Sequence, residues 1–380
     1  MDLRLSDEQQ LMKETVRRIM VEKVAPRAAE IDQQAVFPWD VYELFKENEI
    51  FSLTVPEEYG GLDGKLLTLC IAIEEVGRIC GSSTMILGNH SLGVGPIALW
   101  GNKAQKEKYL PGIGTGELKG SFALTEPNAG SDVGGMQTRA VLKGDRYIIN
   151  GNKCFITHAD IADVLTIFAK VAVDGVDKIT AFLVDAKSKG ITIGKKEDKM
   201  GLRGSTTCSI NFEDLEVENH ENNILGKVGD GFRIALDCLD KGRIMCGSQA
   251  IGIAQGALDV ANPYTQTRIQ FGKPLNHNQG VQFMLADMAT EINAARALTR
   301  TAAWKYDNHE PDMVQFSAMS KLYATDMAMR VTTNAVQLLG GYGYSKEYPV
   351  ERMMRDAKIF TIFEGANEIQ RMVIGRALAK

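Results

Sequence analysis

The chain has 380 residues, 44% hydrophobic and 24% charged, with a formal net charge of −5. This length exceeds the usual domain of about 100–200 residues, so two or three structural units are expected, and the composition excludes a disordered or fibrous protein. No broad basic field is present to attract nucleic-acid phosphates, the start MDLRLSDEQQ is polar, and no apolar run is long enough to span a bilayer. A soluble, cytoplasmic protein with neither nucleic-acid nor membrane partners is therefore expected.

Ser6-Asp7-Glu8-Gln9 opens the first helix with a hydroxyl and an amide three positions apart, which suits the free N–H groups of a helix start. Pro26 is expected to break this helix, and 56–64 (PEEYGGLDG) reads as a loop. An amphipathic pattern resumes over 66–77 and continues after Gly81-Ser82-Ser83. From about Gly120 the texture changes to short β-rich runs at 146–149, 154–157, 164–171, 179–184 and 208–212. After 226–231 (GKVGDG) helical spacing returns, interrupted at Pro263, at Gly272-Lys273-Pro274 and at Gly340-Gly341-Tyr342-Gly343. The expected organisation is a helical domain over 1–119, a β domain over 120–228 and a helical domain over 229–380. That makes an α+β chain, mainly α, and argues against a parallel Rossmann sheet.

The six cysteines form no Cys-x-x-Cys pair and read as reduced thiols. The five histidines have no His-x-x-x-His spacing, so no metal site is expected. Gly-x-Gly-x-x-Gly, the P-loop and Gly-x-Ser-x-Gly are all missing, which disfavours nicotinamide Rossmann enzymes, P-loop nucleotidases and α/β-hydrolases. The segment 122–132 (FALTEPNAGSD) packs hydroxyls, a Pro-Asn turn and a glycine into one loop. Such a loop can present several backbone N–H groups to an anionic or heteroaromatic ligand, and can equally serve as a domain-boundary turn.

FALTEPNAGSD, KCFIT, RIQFGKP, QLLGGYGY and IFEGANEIQ, in this order and spacing, resemble the acyl-CoA dehydrogenase family over essentially the whole chain. KKEDKMG, RVTTNAVQ and YPVERMMRDAKI look most like the short-chain or butyryl-CoA group. The resemblance implies N-terminal helices, a central β-barrel domain and a C-terminal four-helix bundle, assembled as a homotetramer. It also implies FAD as cofactor, an acyl-CoA thioester as substrate and an electron-transferring flavoprotein as redox partner.

Residue by residue, the resemblance places Phe122, Leu124, Thr125, Gly130 and Ser131 around the isoalloxazine, with Ser131 also reaching CoA. Phe155, Ile156 and Thr157 cover its other face, the Thr157 hydroxyl lying near N5. Arg268, Phe271 and Gln279 match residues that hold FAD across a subunit boundary, and Gln337, Leu338, Leu339, Gly340 and Gly341 match the segment arriving from the neighbouring subunit. Ala366, Asn367 and Glu368 also fall at the cofactor. Asp240 and Arg243 would meet CoA, with Phe363 and Gly365 at the substrate.

Glu364 matches the family base, and its backbone N–H and a ribityl hydroxyl of FAD would bind the thioester oxygen. Dehydrogenation to a trans-2-enoyl-CoA would follow, with hydride passing to flavin N5. Some relatives carry the base at the position of Gly242, where this chain has no side chain. Two departures stand out: Ala366 replaces the commoner threonine, and His158 the usual asparagine. Gly88, Gly93 and Gly242 would leave room for a wide, branched or ring-bearing acyl group between aromatic walls at Phe360 and Phe363, with Asn89, His90 and Ser91 near its tail. The alternative is the same machinery run in reverse, as an enoyl-CoA or aryl-acryloyl-CoA reductase fed by a bifurcating electron-transferring flavoprotein.

Overall fold

The computed structural model describes residues 4–62 and 65–379. Met1–Leu3 of the polar start, Asp63 and Gly64 of the expected loop, and Lys380 lie outside the described residues. The first helix, α1 (Asp7–Ile19), begins with the expected capping box, in which Ser6 Oγ accepts from the Gln9 N–H at 3.2 Å. Pro26 does end the α-helix, yet the chain stays helical through a π turn (Met20–Val24) and a 3-10 turn (Ala25–Arg27) into α2 (Ala28–Gln34). Proline is tolerated there because the first turn of a helix needs no N–H from it. Helices α3 (Trp39–Glu47), α4 (Leu66–Gly77), α5 (Gly81–Trp100) and α6 (Lys103–Gly114) complete the N-terminal layer. Over 66–77 the expected amphipathic helix is instead buried at every position but Leu67, because α4 is sandwiched between α1 and the C-terminal helices.

The central sheet contains β1 (Gly120–Ala123), β2 (Arg139–Lys143), β3 (Arg146–Thr157), β4 (Val164–Val173), β5 (Val176–Asp185), β6 (Ile191–Lys196), β7 (Thr207–Glu218) and β8 (Ile224–Leu225). Its order is β6-β7-β3-β2-β4-β5-β8, with β1 beside β4. The pairing is antiparallel except for β1–β4 and β2–β4. The runs expected at 146–149 and 154–157 are one strand, β3, whose register against β7 shifts between Ile149 and Gly151 and between Lys153 and Ile156. Phe155 and His158 take left-handed φ values of 55° and 58° around that second irregularity, which turns the strand end out of the plain pleat.

The C-terminal part holds three long helices, α7 (Gly231–Thr267), α8 (Gln279–Asp307) and α9 (Met313–Leu339), followed by α10 (Val350–Lys358) and α11 (Asn367–Leu378). Pro263 does not interrupt α7 as expected. It lies on the exposed side near the helix end, while the neighbouring Ala261 and Thr265 stay buried, so packing holds the helix across one missing hydrogen bond. The long helices approach closely through small residues: a Cβ added at Gly247 of α7 would stand 2.8 Å from Ser320 Oγ of α9 and 3.1 Å from Thr299 Oγ1 of α8. The interruption at 268–274 is a two-stranded hairpin, β9 (Ile269–Gln270) and β10 (Lys273–Pro274), that carries Phe271 at its tip.

Candidate active site

Glu364 sits between α10 and α11, where it and Gly365 both adopt left-handed φ values of 57° and 83°. A non-glycine residue in that region is held there by its surroundings at some cost in energy. The surroundings are identifiable. Gln370 Nε2 donates to the carbonyls of Glu364 (3.2 Å) and Gly365 (2.8 Å), and the fully buried Lys321 of α9 donates to the Gly365 carbonyl (2.9 Å) and to Asn367 Oδ1 (2.7 Å). The Asn367 amide is fully used, since its Nδ2 reaches Thr325 Oγ1 (3.0 Å) and Asp326 Oδ1 (2.7 Å).

The loop turns the Glu364 carboxylate inward against α7. A Cβ at Gly242 would lie 2.5 Å from Glu364 Oε2 and 3.6 Å from Leu92 Cδ1 of α5, so the missing side chain of Gly242 is the space the carboxylate occupies. Oε2 is enclosed and has no hydrogen-bond partner among the described residues, although the residue as a whole is only half-buried. Burial pushes the carboxyl up to about 7, against the pull of Arg243 and Lys321 toward the charged form. The backbone N–H of Glu364 has no acceptor among the described residues either. Phe363 stacks edge-on against the buried Phe360 at 5.1 Å and walls the apolar side. The result is an enclosed carboxylate raised toward neutrality with a free backbone donor beside it, an arrangement suited to proton transfer.

Asp240 and Arg243 lie one turn apart on α7, both buried and joined at 2.5 Å. Burial raises the Asp240 carboxyl to about 6 even so, and Arg243 Nε is enclosed without a partner. The aspartate is therefore committed to Arg243, which retains a donor for a ligand.

The second cluster is the loop after β1. Phe122 packs into the core against Phe168 (4.9 Å) and Leu124 is buried, so both offer a ligand only their backbone. Lys153 of β3 is fully buried and donates to the Leu124 carbonyl (3.0 Å) and Glu126 Oε1 (2.8 Å). Burial, the largest influence on Glu126, would raise its carboxyl, but Lys153 and the N–H groups of Gln137 and Thr138 hold it below its ordinary value. This pair pins the turn that presents Thr125, Gly130 and Ser131, the last two exposed. The Thr125 carbonyl accepts from the Cys154 N–H at 2.9 Å, bringing the loop beside Phe155, Ile156 and Thr157. Ile156 is buried in the sheet core, whereas the Phe155 ring is 65% exposed.

One expectation needs correction. Gly88, Gly93 and Gly242 do not open a wide pocket, because each is already filled: by the Gln249 side chain 2.6 Å from a Cβ at Gly88, by the Gly120 backbone at Gly93, and by Glu364 at Gly242. His90 is a buried, hydrogen-bonded helix residue: its Nε2 meets the Ile113 carbonyl at 2.8 Å, and burial lowers it to about 4, so it stays neutral. Asn89 turns to His158 Nδ1 (3.3 Å), whose Nε2 meets Ser205 Oγ (3.0 Å), tying α5 to the strand that carries Thr157. Asn367, expected at the cofactor, spends its side chain on Lys321, Thr325 and Asp326, which leaves only its backbone for a ligand. Ala366 offers only backbone, at the start of α11, with Glu368 exposed in the first turn.

Arg268, Phe271, Gln279, Gln337, Leu338, Gly340 and Gly341 gather at the far end of the long helices. Arg268 lies over the Tyr342 ring at 5.5 Å, and Tyr264 Oη donates to the Leu339 carbonyl at 3.4 Å. All but Leu338 are exposed, and Phe271 is 99% exposed. From Gly242 to Arg268 is about 39 Å of helix, so this end cannot serve Glu364 within one chain. Sequence reasoning missed Lys321, Gln370 and the Lys153–Glu126 pair. The signal for Lys321 was a lone lysine in the buried stripe of small residues Ser317, Ala324, Thr325 and Ala328.

No helix among the described residues is long and apolar enough to cross a membrane, and no group of three His, Cys, Asp or Glu that could hold a metal lies among them. The chain matches the acyl-CoA dehydrogenase N-terminal domain over residues 6–117, the middle domain over 121–215 and the C-terminal domain over 229–379. It is 46% identical over 376 residues to cyclohex-1-ene-1-carbonyl-CoA dehydrogenase of Geobacter metallireducens, covering 98% of each chain. It is 45% identical to acryloyl-CoA reductase (NADH) of Anaerotignum propionicum, over 100% of this chain and 96% of that one. Butyryl-CoA dehydrogenase of Megasphaera elsdenii superposes with a TM-score of 0.96 at 43% identity, over 100% of both chains. A chain solved in work on the electron transferring flavoprotein of Acidaminococcus fermentans and flavin-based electron bifurcation superposes equally well, with a TM-score of 0.96 at 42% identity over 100% of both. With all three domains matched in order and relatives aligned from end to end, this chain belongs to the acyl-CoA dehydrogenase family of oxidoreductases.

Proposed function

We propose that the protein is an FAD-dependent dehydrogenase of a short, branched or cyclic acyl-CoA, with Glu364 as the base. The observation that carries this reading is an enclosed carboxylate with an unpartnered Oε2, raised toward neutrality, next to its own unclaimed backbone N–H. A carboxylate in water is too weak a base for the α-proton of a thioester, and both features correct that weakness. The N–H binds the thioester oxygen as negative charge develops there, while Glu364 takes the α-proton onto its carboxylate. Phe360 and Phe363 exclude water from the reacting carbons, and Gly242 leaves the carboxylate room to turn. The α-proton thus goes to Glu364, the β-hydrogen leaves with its electron pair, and a carbon–carbon double bond forms.

The residues present fit a flavin. An exposed Phe155 ring beside an open loop of backbone donors gives a flat heteroaromatic a face and an edge. Thr125, Ser131, Thr157 and the backbone of Leu124 and Ala366–Glu368 would hold it. Arg268, Phe271, Gln279 and the 337–341 segment of a neighbouring copy would complete the site, which makes a homotetramer built from paired subunits the assembly we propose. When bound, FAD supplies the sink for the departing β-hydrogen and its electrons, which an electron-transferring flavoprotein then receives.

Anaerobic bleaching of the flavin by a panel of butyryl-, isovaleryl-, cyclohexanecarboxyl-, octanoyl- and arylpropionyl-CoA tests this. Rapid bleaching by a short or cyclic thioester is the expected result, and retention of that activity in E364Q would remove Glu364 as the base. The reverse reading, an enoyl-CoA reductase, is favoured by the similarity to an acryloyl-CoA reductase. It would be supported by a flavin that no saturated thioester bleaches, yet that reoxidises on adding an enoyl-CoA after chemical reduction.

A further inference from the structure

We propose that Lys321 is a positioning residue for the reaction, holding the Glu364 loop in its strained form and keeping the base ionised with its ammonium charge. This rests on Glu364 being the base. The geometry is specific. Lys321 enters from α9 with no exposed surface, and its Nζ meets two acceptors, the Gly365 carbonyl at 2.9 Å and Asn367 Oδ1 at 2.7 Å. One contact lies immediately after the base and the other on the first residue of α11, so a single ammonium clamps both ends of the turn that inverts at Glu364 and Gly365. Both partners accept, which requires Nζ to donate and gives the cation a continuing function even where burial disfavours its charge.

The clamp is itself braced. The Thr325 hydroxyl donates to the Lys321 carbonyl at 2.8 Å and accepts from Asn367 Nδ2 at 3.0 Å, and Asp326 Oδ1 takes the other amide proton at 2.7 Å. A buried lysine is costly to a fold, and its hydrogen bonds alone could be supplied by a neutral amide. What a neutral amide cannot supply is the positive charge held against the turn that carries Glu364. The titratable and charged groups that bear on Glu364 are Cys238, Arg243 and Cys246 of α7 and Lys321 of α9, with Asp326 bearing on Lys321. Arg243 is paired with Asp240, whose carboxylate offsets its field, whereas Lys321 has only neutral acceptors at hydrogen-bonding distance.

The test compares K321Q, K321R and E364Q as FAD-loaded proteins, reading the pH dependence of anaerobic flavin bleaching by a thioester that the wild type dehydrogenates. Removing a cation near a carboxylate favours its protonated form, so K321Q moves the acid limb upward by roughly one pH unit, beyond a slower plateau. K321R, which keeps the charge with different hydrogen bonds, lowers the plateau and leaves the limb in place. A limb unmoved in K321Q, or displaced in K321R, overturns the proposal. Should K321Q fail to retain FAD, a lowered K321R plateau on an unmoved limb supports the proposal, and a K321R plateau equal to the wild type, or a displaced limb, overturns it. E364Q separates the two levels: if it still bleaches, the base assignment has failed, whereas an inactive E364Q with an unmoved K321Q limb rejects only the role of Lys321.

Discussion

Glu364 occupies a position that costs the folded protein stability. Its carboxyl titrates near 7 when folded and near its ordinary 4.5 when unfolded. The native state therefore holds the proton more tightly, and stability falls as pH rises from about 4.5 to about 7. Replacing the group by a neutral amide removes that loss. E364Q is expected to melt at a higher temperature than the wild type above pH 7, and at the same temperature below about pH 4.5, which thermal melts across this range will show. With Glu364 as the proposed base, the catalytic consequence has the opposite sign: the ionised form is the one required, and bleaching should decline below about pH 7. Gly242 is the steric partner of this residue: a methyl group there would stand 2.5 Å from Oε2. G242A is expected to turn the carboxylate aside and slow bleaching by about 100-fold while FAD content is unchanged, because a misplacement on the order of 1 Å costs about that much.

At the scale of elements, the loop after β1 is held by one buried ion pair. K153M would leave the Glu126 carboxylate enclosed without its cation, a change that typically costs about 3–5 kcal/mol. Urea denaturation should show that loss, and K153M with E126Q should recover part of it. The same pair shows what a sequence does and does not reveal. Lys153 was visible within KCFIT, but its burial depends on β3 shifting register against β7 and on the Glu126 turn folding back, neither of which is local in the chain. Long periodic helices and β-branched strands were legible because their patterns are local. Strands β2 and β6 were not, since β2 is largely exposed although it lies inside the sheet and the edge strand β6 is only half-buried, so neither carries a clear alternation. At Pro263 the local helix-breaking signal is overridden by packing on the opposite face of α7, where Ala261 and Thr265 are buried. Glu364, the loop after β1 and the far-end cluster could be singled out through collinear motifs, whereas Lys321 and Gln370 became visible only once α9 and α11 were set against the Glu364 turn.

Across the whole molecule, α7 connects two different kinds of surface. Its first third faces Glu364, and its last residue borders an exposed cluster of Arg268, Phe271 and Tyr342, with the two separated by about 39 Å. If that cluster completes the cofactor site of an adjoining subunit, R268A should lose FAD and activity without disturbing the geometry around Glu364 in its own chain, as flavin absorbance per polypeptide will show. The separation also has a genetic consequence. An allele encoding E364Q and an allele encoding R268A are each null, but a cell carrying both should regain part of the activity, because one polypeptide supplies the base and the other the arginine to the same site. Absence of such rescue in co-expressed, co-purified mixed assemblies would mean that each chain serves only itself.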